Sequence, residues 1–197
     1  MITKIDKNTA LVLIDLQKGI VSSPTAHPVN EILKNTARLI DAFHMHSLPV
    51  VVVNVNPKDA LWTKTRKEIS TVPANSVAKE VSKVAMNLVA FTDIVPEIHT
   101  LATDIFVTKH TWNAFFETSL HAELQKLSLT GIVLCGISTS IGVEGTARAA
   151  SELGYNITFV LDAMTDRIED AHNNSIRHIF PRIGELGTTD EVLKYLI

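Results

Sequence analysis

The chain has 197 residues, 46% hydrophobic and 20% charged, a composition that fits one well-packed domain over 1–197 and excludes a disordered chain. Its 18 Lys and Arg against 21 Asp and Glu give a formal charge of -3, which argues against a basic surface for nucleic acid. No apolar run approaches the ~20 residues of a membrane span, and one cysteine cannot form an internal disulfide. With no signal-peptide core at the start of the sequence, a cytoplasmic location is expected.

Apolar runs rich in Val and Ile occupy residues 10–14, 49–55, 104–108, 131–136 and 156–161, and a shorter sixth run spans 184–189. None alternates cleanly between apolar and polar residues, as expected of strands buried on both faces of a parallel sheet. Amphipathic helices are predicted between them. Over 30–46, Ile32, Leu33, Thr36, Leu39, Ile40 and Phe43 fall on one stripe. Further helices are predicted over 118–127, over 140–153 (ending at Gly154), over 170–180 (stopped by Pro181) and over 190–196, where Thr188 or Thr189 can cap. Strand alternating with helix implies right-handed crossovers and a doubly wound, mainly parallel sheet of about six strands in a three-layer α/β/α sandwich. The stretch 57–97, with Trp62, Lys64, Arg66 and Lys67, reads either as a lid or binding loop or as a surface excursion.

In such sheets ligands bind beyond the carboxyl ends of the strands. The residues following each run are therefore the candidates: Asp15 and Gln17, Asn54 and Asn56, Lys109 with His110, Trp112 and Asn113, Ser138 to Ser140, and Asp162 with Asp166. Asp15 and Lys109 each end a strand expected to be buried, where an unpaired charge is costly. Paired, they form a tuned acid; the plainer alternative is a helix-capping Asp and a surface Lys that never meet. Gly142 and Gly145 early in the third predicted helix suggest either close approach of a ligand or tight packing on a neighbour.

The residues Leu11 to Gln17, Phe106 to Lys109 with Trp112 to Phe116, Gly136 to Thr139, Thr146 to Ala150 and Leu161 to Ala163 resemble, in order and spacing, the isochorismatase-like hydrolase superfamily. The resemblance implies a Rossmann-like α/β sandwich and a site built on Asp15 and Lys109. It also places Gly142 where the family's cysteine hydrolases carry the nucleophile. Cys135, seven residues earlier, reads as a buried core residue. A thioester route is thus excluded, and no histidine base matches the hydroxyls of Ser138, Thr139 or Ser140.

Isochorismatases, which hydrolyse a vinyl ether with an acid rather than a nucleophile, often carry glycine at that position. By resemblance Asp15 is the general acid, Lys109 its partner and Gln17 an orienting group. The resemblance also implies that Trp112, Phe115, Ile137, Ser138 and Thr139 contact substrate and that the Ile137–Ser138 peptide is cis. Two features depart from that pattern: Thr111 stands where isochorismatases typically have arginine, leaving Lys64, Arg66 or Arg148 to meet a substrate carboxylate, and no carrier domain is appended. No cofactor and no metal are expected, because the Asn54 to Pro57 region lacks the histidines of a nicotinamidase site. The expected partner is a small-molecule substrate, and the resemblance implies a homodimer or homotetramer. The alternative function is a catalytically silent binding protein that retains the pocket.

Overall fold

The computed structural model describes residues 2–56 and 88–196. Trp62, Lys64, Arg66, Lys67 and most of the 57–97 stretch lie outside the described residues. Six parallel strands form one sheet: β1 (Thr9–Ile14), β2 (Val50–Val55), β3 (Ile105–Lys109), β4 (Gly131–Ile137), β5 (Asn156–Thr165) and β6 (Glu185–Gly187). Their order in space is β3-β2-β1-β4-β5-β6. The helices are α1 (Lys18–Val21), α2 (Val29–Met45), α3 (Leu88–Thr92), α4 (Leu120–Lys126), α5 (Glu144–Glu152), α6 (Glu169–Asn174) and α7 (Thr189–Tyr195).

Side chains alternate across a strand, so β1 serves two cores at once. Leu11 and Leu13 pack with Leu33, Leu39, Phe43 and Val192 of α2 and α7. Ala10, Val12 and Ile14 pack with Leu120, Leu124, Ala147 and Ala150 of α4 and α5. All six residues of β1 are buried, and both faces are therefore apolar in sequence. The six buried residues of α2 are those of the predicted stripe. Each fully buried large aliphatic or aromatic among them is worth about 1.5–3 kcal/mol. At the end of the chain, Thr188 caps α7 and Glu191 returns the bond, a complete capping box.

Several elements differ from the sequence expectation, among them the helix read over 170–180, which is α6 followed by a π-helical turn (Ser175–Ile179) and a 3-10 turn (Phe180–Arg182). Strand β3 lies at the sheet edge, and its burial alternates, with Phe106 57% exposed while Val107 and Lys109 are buried. The predicted helix over 140–153 starts as a π-helical turn, Thr139–Val143, before continuing as α5. Strand β5 runs to Thr165 rather than 161, because its register to β4 jumps from Leu134↔Phe159 to Gly136↔Met164. Asp162, read from sequence as the end of that strand, sits inside the irregular stretch. Its carboxylate accepts from the backbone N–H and hydroxyl of Thr189, so it fastens the start of α7 and does not face the ligand side.

The chain leaves β1 toward β2 and β3, then crosses back to β4, β5 and β6. The reversal falls between β1 and β4, the topological switch point where open α/β sheets bind ligands.

Candidate active site

Asp15 is the first residue beyond β1, turned by a left-handed backbone (φ 55°) that Asp tolerates better than most side chains. Its backbone N–H donates to Val53 O at 3.0 Å, anchoring it to β2. Lys109 ends β3, on the far side of β2 from β1. Two strand spacings are about 10 Å, and the lysine side chain bridges them: Nζ donates to Asp15 Oδ2 at 2.7 Å and to Thr111 O at 3.1 Å. Asp15 is 5% exposed and Lys109 2% exposed. The capping-Asp and surface-Lys alternative is therefore ruled out.

Burial pushes the Asp15 carboxyl up to about 6, with the charge and hydrogen bond of Lys109 pulling the other way. Its other oxygen, Oδ1, is buried and has no hydrogen-bond partner among the described residues. Beside this pair, a Cβ placed on Gly142 would stand 3.1 Å from Asp15 Oδ2, 3.6 Å from Lys109 Nζ and 2.7 Å from Ile14 Cγ2. Position 142 thus points at the acid–ammonium couple, and glycine there keeps the approach open. A Cβ on Gly145 would make only ordinary van der Waals contact with Trp112 and Asn113, so of the two glycines only Gly142 borders the pair.

The strand-end geometry depends on one further glycine. Gly136 has φ +126°, and a Cβ there would fall 2.1 Å from Ile14 O. The next peptide bond, Ile137–Ser138, is cis. A cavity of about 290 Å³ opens over these strand ends. Asp15, Lys109, Gly142, Ile137, Ser138 and Trp112 all line it.

Residues 9–191 match the isochorismatase domain family. The chain belongs to the isochorismatase family. Among its relatives, the isochorismatase family protein YwoC of Bacillus subtilis is 40% identical over 95% of this chain and 94% of its own length. The isochorismatase family protein YecD of Escherichia coli O157:H7 is 36% identical over 96% and 97%. The structure of an isochorismatase family protein from Burkholderia thailandensis superposes with a TM-score of 0.83 at 33% identity, covering 100% of this chain and 99% of that one. This isochorismatase-like hydrolase therefore shares both sequence and the six-stranded parallel fold with its family.

Three of the nominated substrate contacts do not line this family member's cavity. Gln17 is fully buried, and its amide is spent on backbone: Nε2 donates to Val55 O (2.9 Å) and Phe91 O (3.2 Å), while Oε1 accepts from Val55 N (2.7 Å). It brackets the end of β2 to α3. Phe115 stacks on Tyr155 at 5.9 Å. Thr139 is fully buried, with Oγ1 2.8 Å from His172 Nδ1. Sequence shows no histidine base for these hydroxyls; the fold brings His172 to Thr139 from 33 residues away, yet the pair is absent from the cavity wall. Ser140 is likewise engaged, its N–H and hydroxyl both donating to Asp166 Oδ2 at 2.8 Å.

Other wall residues escaped the sequence reading. Phe91, at the end of the long 57–97 stretch, lines the cavity, and its ring lies against Gly19 of α1. Arg167, just past the true end of β5, also lines it. Arg148, a nominated carboxylate contact, is instead paired with Glu144 at 2.8 Å, and Lys64 and Arg66 lie outside the described residues. Cys135 sits in β4 within the α2-side core, fully buried, and burial pushes its thiol up to about 12. Among the described residues no three His, Cys, Asp or Glu side chains converge as a metal site, and no helix is long and apolar enough to cross a membrane.

Proposed function

We propose that this isochorismatase-like protein hydrolyses a small-molecule enol ether of the isochorismate type, with Asp15 as general acid. The observation that carries this reading is the asymmetry of one buried carboxyl. Oδ2 is held by Lys109, Oδ1 is unpartnered, and burial keeps the proton on up to a pH of about 6. A carboxylic acid poised near neutrality suits proton transfer. Protonated Asp15 gives its proton to the terminal carbon of the C=C–O unit, and water adds to the resulting oxocarbenium carbon. The hemiketal then releases an alcohol and a ketone. Lys109, 2.7 Å away, stabilises the carboxylate that Asp15 leaves behind. A thioester route has no support, since the chain's one thiol is Cys135, sealed in β4.

One observation favours a second reading. Both Gln17 amide donors go to backbone carbonyls, and among the described residues no other side-chain amide lines the cavity. That suits a silent binding protein which kept the pocket.

The test is the pH dependence of kcat/KM on isochorismate. We expect a plateau on the acid side of about 6 and a tenfold fall per unit above it, because the free enzyme's acid must be protonated. Asp15→Asn is expected to lower kcat/KM by about 10²–10⁴. A rate that rises through that pH, or persists in Asp15→Asn, overturns the general-acid role. Ligand binding with no turnover of any enol ether supports the silent pocket.

A further inference from the structure

The charges around the cavity do not cancel. Asp15 and Lys109 neutralise each other across 2.7 Å. Arg167 is then the one remaining formal charge on the wall among the described residues. Its only hydrogen bond there is Nη2 to Ser23 Oγ at 2.8 Å, a neutral partner that uses one of five N–H donors. No carboxylate lies within ion-pair distance of it among the described residues. The adjacent Asp166 does not neutralise it by contact, because its oxygens accept from Ser140 and Ile168.

Arg38 is paired with Asp190 and Arg148 with Glu144, whereas Arg177 and Arg182 are exposed without an ion pair among the described residues; what sets Arg167 apart is its place on the cavity wall. Much of the remaining wall is apolar, from Ile20, Val55, Phe91, Trp112, Ile137 and Ile141. The volume of about 290 Å³ is at the small end for ligand sites.

We propose that Arg167 is the specificity-determining residue of this site, and that it selects small organic acids by their carboxylate. The apolar walls take the body of the molecule, and the guanidinium fork meets the carboxylate with two parallel N–H donors. The position that typically carries arginine in isochorismatases is Thr111 here, and its carbonyl is bound by Lys109. Arg167 reaches the cavity from β5 instead. This inference rests on the cavity being the substrate site, as proposed above, but not on the acid mechanism.

Benzoate and benzamide serve as probes, since they share size and ring and differ in charge. Their binding to the purified protein is measured by titration calorimetry at pH 7.5, for wild type, Arg167→Gln and Arg167→Lys. Arg167 is exposed, so both variants are expected to melt at the wild-type temperature. Benzoate is expected to bind wild type, to weaken at least tenfold in Arg167→Gln and to recover in part in Arg167→Lys, with benzamide changing less than twofold. Equal losses for both probes, or an Arg167→Gln protein that holds benzoate as wild type does, would overturn the proposal. So would a wild type that binds neither or prefers benzamide. Because no turnover is read, a failure of Asp15 as acid leaves this result untouched, and the reverse holds too.

Discussion

At the residue scale, the site depends on how one lysine conditions one carboxyl. Lys109 lowers the proton affinity that burial gives Asp15, so replacing it by methionine removes the opposing influence. In Lys109→Met the Asp15 carboxyl is expected to hold its proton to a pH above about 6. At pH 8 the unpaired buried charge should cost about 3–5 kcal/mol of stability. Acidification protonates Asp15 and restores part of that loss, so urea denaturation at pH 8 and pH 5 should give different penalties. Equal penalties at both values would mean that the couple is not electrostatic in origin.

Asp15 and Lys109 were legible because each is a charge that ends an apolar run, a placement a folded chain must compensate. Gln17 was misread for the same reason in reverse. It follows the same strand, but its amide satisfies the backbone of Val55 and Phe91, and sequence carries no sign of which backbone groups need a partner.

At the element scale, the segment after β1 and the stretch that follows α3 are tied together, and α1 and α3 each give the cavity a wall residue, Ile20 and Phe91. Lys18 N–H donates to Asp93 O, Val95 N–H donates to Leu16 O, and Gln17 pairs with Ile94. Phe91 is held over Gly19, where a Cβ would fall 1.9 Å from its ring. Gly19→Ala must therefore displace a wall of the cavity. We expect KM to rise with kcat nearly unchanged, and a stability loss of about 1–3 kcal/mol from overpacking, read by thermal melting. An unchanged KM would show that Phe91 does not shape the bound state.

All six strands start within a residue of the apolar runs read from sequence, because each begins where the chain turns from polar to apolar. Strand β5 was cut short at Asp162, since a carboxylate after an apolar run looks like an end. Here it is an irregular point within the strand, whose charge is absorbed by Thr189. That misreading concealed Arg167, which lies at the real end of the strand.

At the scale of the whole molecule, two buried groups make stability depend on pH in opposite directions. Burial of Asp15 raises its pKa from 3.8 to about 6, so between those values the folded state keeps a proton that the unfolded chain loses. Stability from this source falls as pH rises through that window and is level above it. Burial of His172, helped by the nearby His27, holds its pKa below the usual 6.5, against the pull of Asp166 and Glu169. There the unfolded chain binds the proton first, so stability falls as pH drops below 6.5. The stability of Asp15→Asn relative to wild type is therefore expected to climb with pH from 3.8 to about 6 and then stay flat, measured by urea denaturation across that range. A difference that is constant with pH would show that Asp15 titrates normally in the folded chain.

The sealed position of Cys135 in β4 has a practical corollary. A hydrolase whose sole thiol lies inside the sheet offers no cysteine for iodoacetamide to attack while it remains folded. Native protein should emerge from such treatment unlabelled by mass spectrometry and with undiminished turnover, taking up one carbamidomethyl group only after denaturation. Inactivation of the folded enzyme by alkylation would mean that the β4 sulfur is within reach of reagent after all.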